Sequence, residues 1–133
     1  PGLDRAMDAL RHANQGGVAP HGGMVIAVGD DPTGKSSTLA YQSDQNFHSL
    51  GIPYFFPKNV SDIIPMGLEA FALSRYSGCC VGLKIVVDTA DSNAVVDMSK
   101  LRPSLPILKP NSLVHVTKHD PASVRESKLH DVI

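Results

Sequence analysis

Three short apolar runs, each fenced by turn residues and separated by stretches of helical spacing, constrain this chain more than any other feature. Met24-Val25-Ile26-Ala27-Val28 is continuous between glycines, the pattern of a strand covered on both faces. Ile52 to Phe56 reads as a shorter strand, and Cys80 to Asp88 as the clearest of the three. Before the first run, Leu3, Ala6, Met7, Leu10 and Ala13 recur at three- and four-residue steps, one face of an amphipathic helix that Gly16-Gly17 stops. A polar turn from Gly29 to Gly34 leads into a predicted helix over about Ser36 to Leu50. Another, capped by Asn59 or Ser61, runs to about Tyr76, with Val60, Ile64, Leu68 and Phe71 on its buried side. Pro65 suits Ser61 as the cap, because it then falls near the first turn. Strands alternating with helices require crossover connections. The expected fold is therefore α/β, a partial three-layer arrangement with a parallel sheet flanked by helices.

The chain of 133 residues is long enough to bury a core. The alternating pattern ends near residue 97, so residues 1–97 read as the domain and 98–133 as a linker with a short C-terminal helix. Pro103, Pro106 and Pro110 mark the linker, and Asp120-Pro121 is a helix start. Net charge is −1 with no basic run, which does not indicate nucleic-acid binding. The longest apolar stretch, Cys79 to Val87, is broken by Lys84 and too short to cross a bilayer. No secretory leader precedes the first helix, and the chain starts at Pro1 rather than Met, which reads like the interior of a longer protein. Cys79 and Cys80 are adjacent, a separation too short for an unstrained disulfide, so reduced core thiols and a cytoplasmic setting are expected.

The sharpest local motif is Gly29-Asp30-Asp31-Pro32-Thr33-Gly34-Lys35-Ser36, which satisfies G-x-x-x-x-G-K-[ST] between a predicted strand and a predicted helix. As a nucleotide-binding P-loop it would cradle phosphates on backbone N–H groups, with Asp88 at the end of an apolar strand as a metal-side partner. Against this, Asp30 and Asp31 put two carboxylates into a loop meant for polyanions, and Pro32 removes one N–H donor. A small P-loop nucleotide-binding protein is the alternative reading of the chain.

Read in order, a longer series of words resembles the indolepyruvate ferredoxin oxidoreductases. It begins with Pro1-Gly2-Leu3-Asp4-Arg5, Asp8-Ala9-Leu10, His12-Ala13-Asn14 and His21-Gly22-Gly23. It continues through Gly29-Asp30-Asp31, Lys35-Ser36-Ser37-Thr38, Gln42-Ser43 and Gly51-Ile52-Pro53. Ser74-Arg75-Tyr76-Ser77-Gly78, Val81-Gly82-Leu83-Lys84 and Asp88-Thr89 complete it. The resemblance implies a partial pyrimidine-binding (Pyr) domain of a thiamin-diphosphate-dependent 2-oxoacid:ferredoxin oxidoreductase. Such an enzyme decarboxylates aryl-2-oxoacids oxidatively to acyl-CoA and passes electrons through Fe–S clusters to ferredoxin. The implied partners are the remaining domains or subunits of the parent, with CoA and ferredoxin met through them, and self-association. The diphosphate and Mg²⁺ are expected on another domain, and thiamin diphosphate should bind this chain weakly or not at all.

The chain departs from that family in chemistry. Two adjacent cysteines cannot ligate an Fe–S cluster. The resemblance puts the Glu that activates the cofactor before Pro1, and Glu69 and Glu126 do not match it. No catalytic residue and no metal ligand is therefore assigned. Asp30, Asp31, Lys35, Ser36, Ser37 and Thr38 are the candidate cofactor-side residues, because the loop leaves a strand's C-terminal end, where parallel sheets place ligands. The last four either donate hydrogen bonds to a 2-oxoacid carboxylate or form a cap-rich helix N-terminus with a solvated lysine. His21 reads as a turn residue, Asp4 and Arg5 as a local pair or cap, and Arg75-Tyr76 as a helix C-terminus. His115 and His119 are discounted as metal ligands, since Val114 and Val116 favour strand and loop.

Overall fold

A computed structural model describes residues 2–19, 21–101 and 115–130. Much of the predicted linker, including Pro103, Pro106 and Pro110, lies outside the described residues. The elements in chain order are α1 (Gly2–Gly16), β1 (Val25–Asp30), α2 (Asp44–Leu50), β2 (Tyr54–Phe55), a 3-10 turn (Val60–Asp62), α3 (Ile63–Ser77), β3 (Val81–Val86) and α4 (Val87–Ala90). A second 3-10 turn (Met98–Lys100) and α5 (Ala122–His130) follow. The three strands form a parallel sheet in the order β1-β3-β2. Val25 pairs with Val81 and Asp30 with Val86 on one side of β3, and Tyr54 pairs with Gly82 on the other. The last strand thus occupies the centre, which is why residues 79–84 are all buried and read as the clearest strand.

Alternation along β3 divides the core. Cys80 joins Leu3, Val28, Phe47, Leu50 and Ile52 beneath α1 and α2. Cys79 and Val81 join Ala70, Val116 and Leu129 beneath α3 and α5. The two cysteines therefore point to opposite faces of the sheet, both free and buried. Gly82 faces Phe47, whose ring stacks on Tyr54 with centroids 4.9 Å apart. A Cβ at Gly82 would fall 2.5 Å from that Phe47 ring, so the position has no room for a side chain. Asn14, fully buried on α1, holds the layers in register: its amide donates to the carbonyls of Leu50 and Gly51, and its oxygen accepts the Cys80 N–H at 2.8 Å.

Several expectations change. The helix expected from Ser36 begins only at Asp44, because residues 31–41 form a loop closed by an Asp31–Tyr41 bridge and built on a carboxylate described below. The buried face of α3 is not the large apolar one. Ile64 and Phe71 are 39% and 44% exposed, and the buried residues are Ala70, Ala72, Ser74 and Ser77. Small side chains let α3 lie close on the strand ends, where the Ser74 hydroxyl donates to the Cys79 carbonyl and accepts the Met24 N–H. Pro65 falls in the first turn of α3 as expected, but Asn59 caps the preceding 3-10 turn by accepting the Ser61 N–H. The strand expected over Ile52–Phe56 shortens to Tyr54–Phe55, and β3 stops at Val86, where α4 begins.

Of the C-terminal segment, the described residues 115–130 pack on this core: Val116 is fully buried, Leu129 is 7% exposed, and α5 starts after Asp120-Pro121. No helix among the described residues is long and apolar enough to cross a membrane.

Candidate functional site at the C-terminal edge of the sheet

The residues singled out by sequence meet where β1 and β3 end. Asp30 closes β1 and Asp31 follows it, and strand alternation sends their carboxylates to opposite faces. The sequence reading that both load one loop with negative charge is thereby corrected.

Asp31 is 5% exposed and turns back into its own loop. One carboxylate oxygen accepts the Lys35 N–H at 2.8 Å; the other accepts the N–H groups of Ser36 at 2.7 Å and Ser37 at 2.8 Å. These donors, Ser36 foremost, hold the carboxyl far below the ordinary carboxylate range, against the desolvation that acts to raise it. A side chain that offers the backbone so many partners also explains why no helix starts here. The Lys35 ammonium points away from this seat, 3.3 Å from Asp88 and 3.5 Å from Asp91 on and after α4. Its pKa is raised, chiefly by the hydrogen bond to Asp88 and then by that carboxylate's charge. This is not the arrangement of a phosphate-cradling loop. The N–H groups that a phosphate would need are occupied by an internal anion, and the lysine is engaged elsewhere.

Beside the loop lies a cleft of about 380 Å³ whose lining includes Ala27, Gly29, Asp31, Ser36, Ser37 and Ile85. Ser36 and Ser37, which line it, are exposed, as are Lys35 and Thr38 on either side of them in the loop.

On the other face, Asp30 Oδ2 accepts the N–H and the hydroxyl of Ser43, each at 2.8 Å, and lies 3.4 Å from the Lys84 ammonium. Lys84 also binds Asp44 and sits over the Phe56 ring, 4.6 Å from its centroid. Asp44 accepts the Tyr54 hydroxyl at 2.6 Å. Its pKa is lowered, first by Lys84 and then by Tyr54, whereas that of Tyr54 is raised by the Asp44 bond and by burial. Tyr41, at the far end of the loop, is pushed up to about 12, mainly by burial.

Sequence reasoning quoted Lys84 and Ser43 as words in a series and missed that they form one buried network with Asp30 and Asp44. The available signal was Lys84 itself: a charge on a central strand among buried neighbours must be paired. His21 lies before β1, on an exposed turn with φ +63°, at the opposite edge of the sheet. Asp4 accepts a hydrogen bond from Asn46 of α2.

No protein-family model matches the chain, and no curated protein or solved structure matches it.

Proposed function

We propose that this chain is part of the pyrimidine-side domain of a thiamin-diphosphate-dependent enzyme resembling the indolepyruvate ferredoxin oxidoreductases, silent as a catalyst by itself. One observation carries the reading. The words of the resemblance, spread over sixty positions of sequence from Gly29 to Asp88, are joined by side-chain bonds at one edge of the sheet. Asp30 is tied to Ser43 and Lys84, Asp31 to Lys35, Ser36 and Ser37, and Lys35 to Asp88.

The residues present fit only one end of the cofactor. A diphosphate with its metal finds no seat, because Asp31 fills the only cradle of loop N–H groups described at this edge. A neutral aminopyrimidine suits a cleft lined by the apolar Ala27, Gly29 and Ile85 together with Ser36 and Ser37. When bound, the cofactor would supply the carbanion chemistry of 2-oxoacid decarboxylation; this chain would position its ring and exclude water from one side. Cys79 and Cys80 face opposite sides of the sheet, which supports placing the Fe–S clusters, and transfer to ferredoxin and CoA, on the rest of the parent enzyme. Two free buried thiols suit a cytoplasmic protein. The exposed Met24, Ile64 and Phe71 suit contact with companion domains or a second copy.

Two titrations of the 133-residue chain test this. The free aminopyrimidine moiety of thiamin at millimolar concentration should shift the amide signals of Ala27, Gly29, Ser36, Ser37 and Ile85, while thiamin diphosphate with Mg²⁺ gains no affinity over it. Shifts elsewhere, no shifts at all, or micromolar thiamin diphosphate binding would overturn the proposal.

A further inference from the structure

Residues 115–130 are held at the sheet edge opposite the Asp31 loop by a lock that only glycine permits. The N–H of Val116 donates to the Ser77 carbonyl at 2.6 Å, and the Val116 carbonyl enters a slot between Gly17 and Gly78. Both glycines are in the left-handed region, at φ +73° and +78°, and a Cβ on either would fall 2.6 Å or 2.3 Å from that oxygen. The His115 ring packs against the same Gly78, with Cε1 and Nδ1 each 2.8 Å from where a Cβ would stand. His115 is 3% exposed, and its Nδ1 is buried without a hydrogen-bond partner.

The charged groups around that ring oppose a second proton on balance. From α5, Lys128 donates to the His115 carbonyl and to Asp120, both at 2.8 Å, so an ammonium is fixed beside the ring. The Asp120 carboxylate is shared between Lys128 and the N–H and hydroxyl of Thr117. From α3, the Arg75 side chain runs toward Gly23, leaving its backbone near the ring. Arg125 of α5 is spent on the Gln15 carbonyl of α1. Burial, followed by Lys128, lowers the pKa of His115; the backbone groups of Val116 and Arg75 and the Asp120 charge pull weakly the other way.

We propose that residues 115–130 are a pH-released clasp, in which protonation of His115 frees the segment from the Gly17–Gly78 slot and uncovers the Cys79 cluster beneath it. The free segment binds the proton more readily than the docked one. Docking is thus at full strength above the ordinary histidine value of 6.5 and weakens as pH falls from there through the docked value. Val116 and Leu129 leave the core with the segment, whereas the β1–β3 pairing is retained.

The test uses the whole chain between about pH 7.5 and pH 5. The exchange protection of the Val116 amide should fall by about tenfold or more, and labelling of Cys79 by dithiodipyridine in a C80S background, normalised to the denatured chain at each pH, should rise in parallel. Protection at Ala27 and Leu83 should hold. His115→Gln should flatten both responses. Should that variant fail to dock, the wild-type ring signals decide: the His115 titration must share its midpoint with the loss of Val116 protection. A ring that titrates while Val116 stays protected, an unchanged response in a docked H115Q chain, or equal loss across β1–β3 would overturn the clasp.

Discussion

The carboxylate of Asp30 and the ammonium of Lys84 stand 3.4 Å apart with their side chains 0% and 5% exposed, joining the end of an edge strand to the middle of the sheet. Removing one partner strands the other charge in a site that water does not reach. Lys84→Met should therefore destabilise the chain by about 3–5 kcal/mol in urea unfolding. The double variant D30N/K84M should recover much of that loss, since the amide introduced by Asp30→Asn keeps an acceptor for Ser43 and carries no charge. A loss in D30N/K84M equal to the sum of the losses in D30N and K84M would mean that the pair is not coupled.

Asp31 should organise its loop only while ionised. Its pKa is depressed in the folded chain, so its contribution is complete above the ordinary carboxylate value of 3.8 and is lost as pH falls below that value. The amides of Lys35, Ser36 and Ser37 are expected to stay protected from exchange down to about pH 4. In D31N, which replaces one acceptor oxygen with a donor, at least one of the three should lose protection at every pH. An undisturbed loop in D31N would show that the loop backbone holds itself.

These two aspartates mark the limit of what the sequence disclosed. The apolar runs located all three strands, because a parallel strand covered on both faces needs continuous apolar residues. Asp30-Asp31 was legible as a pair at a strand end, but period-two geometry, not composition, assigns one to Lys84 and the other to the loop N–H groups. The expected helix from Ser36 failed for the same reason: local propensity cannot register a carboxylate that captures the N–H groups first. On α3, periodicity found the helix but chose its large residues for burial. The close approach of Ala70, Ala72 and Ser74 to the strand ends depends on tertiary fit.

Cys79 and Cys80 should be inert thiols at neutral pH. Burial pushes both pKa values up, that of Cys80 to about 11, and little thiolate is available to react. A disulfide reagent at pH 8 should label the native chain slowly and then take up two equivalents on denaturation. Mild oxidation should leave no bond between neighbours that face opposite sides of the sheet. Rapid labelling of either thiol at that pH would refute their burial.

Gly82 should be the least tolerant position of the central strand. Its missing side chain makes room for Phe47, which is itself fully buried and stacked on Tyr54, so adding one methyl group requires the ring, the strand or α2 to move. Gly82→Ala is expected to cost about 1–3 kcal/mol by overpacking. The remedy should be specific: F47L removes the atoms nearest the new Cβ, so the cost of the alanine should be smaller in F47L than in the parent chain. Additive losses in the double-mutant cycle would show that the strain lies elsewhere, against the Tyr54 Cβ 2.7 Å from the new atom or in the backbone, and not between these two side chains.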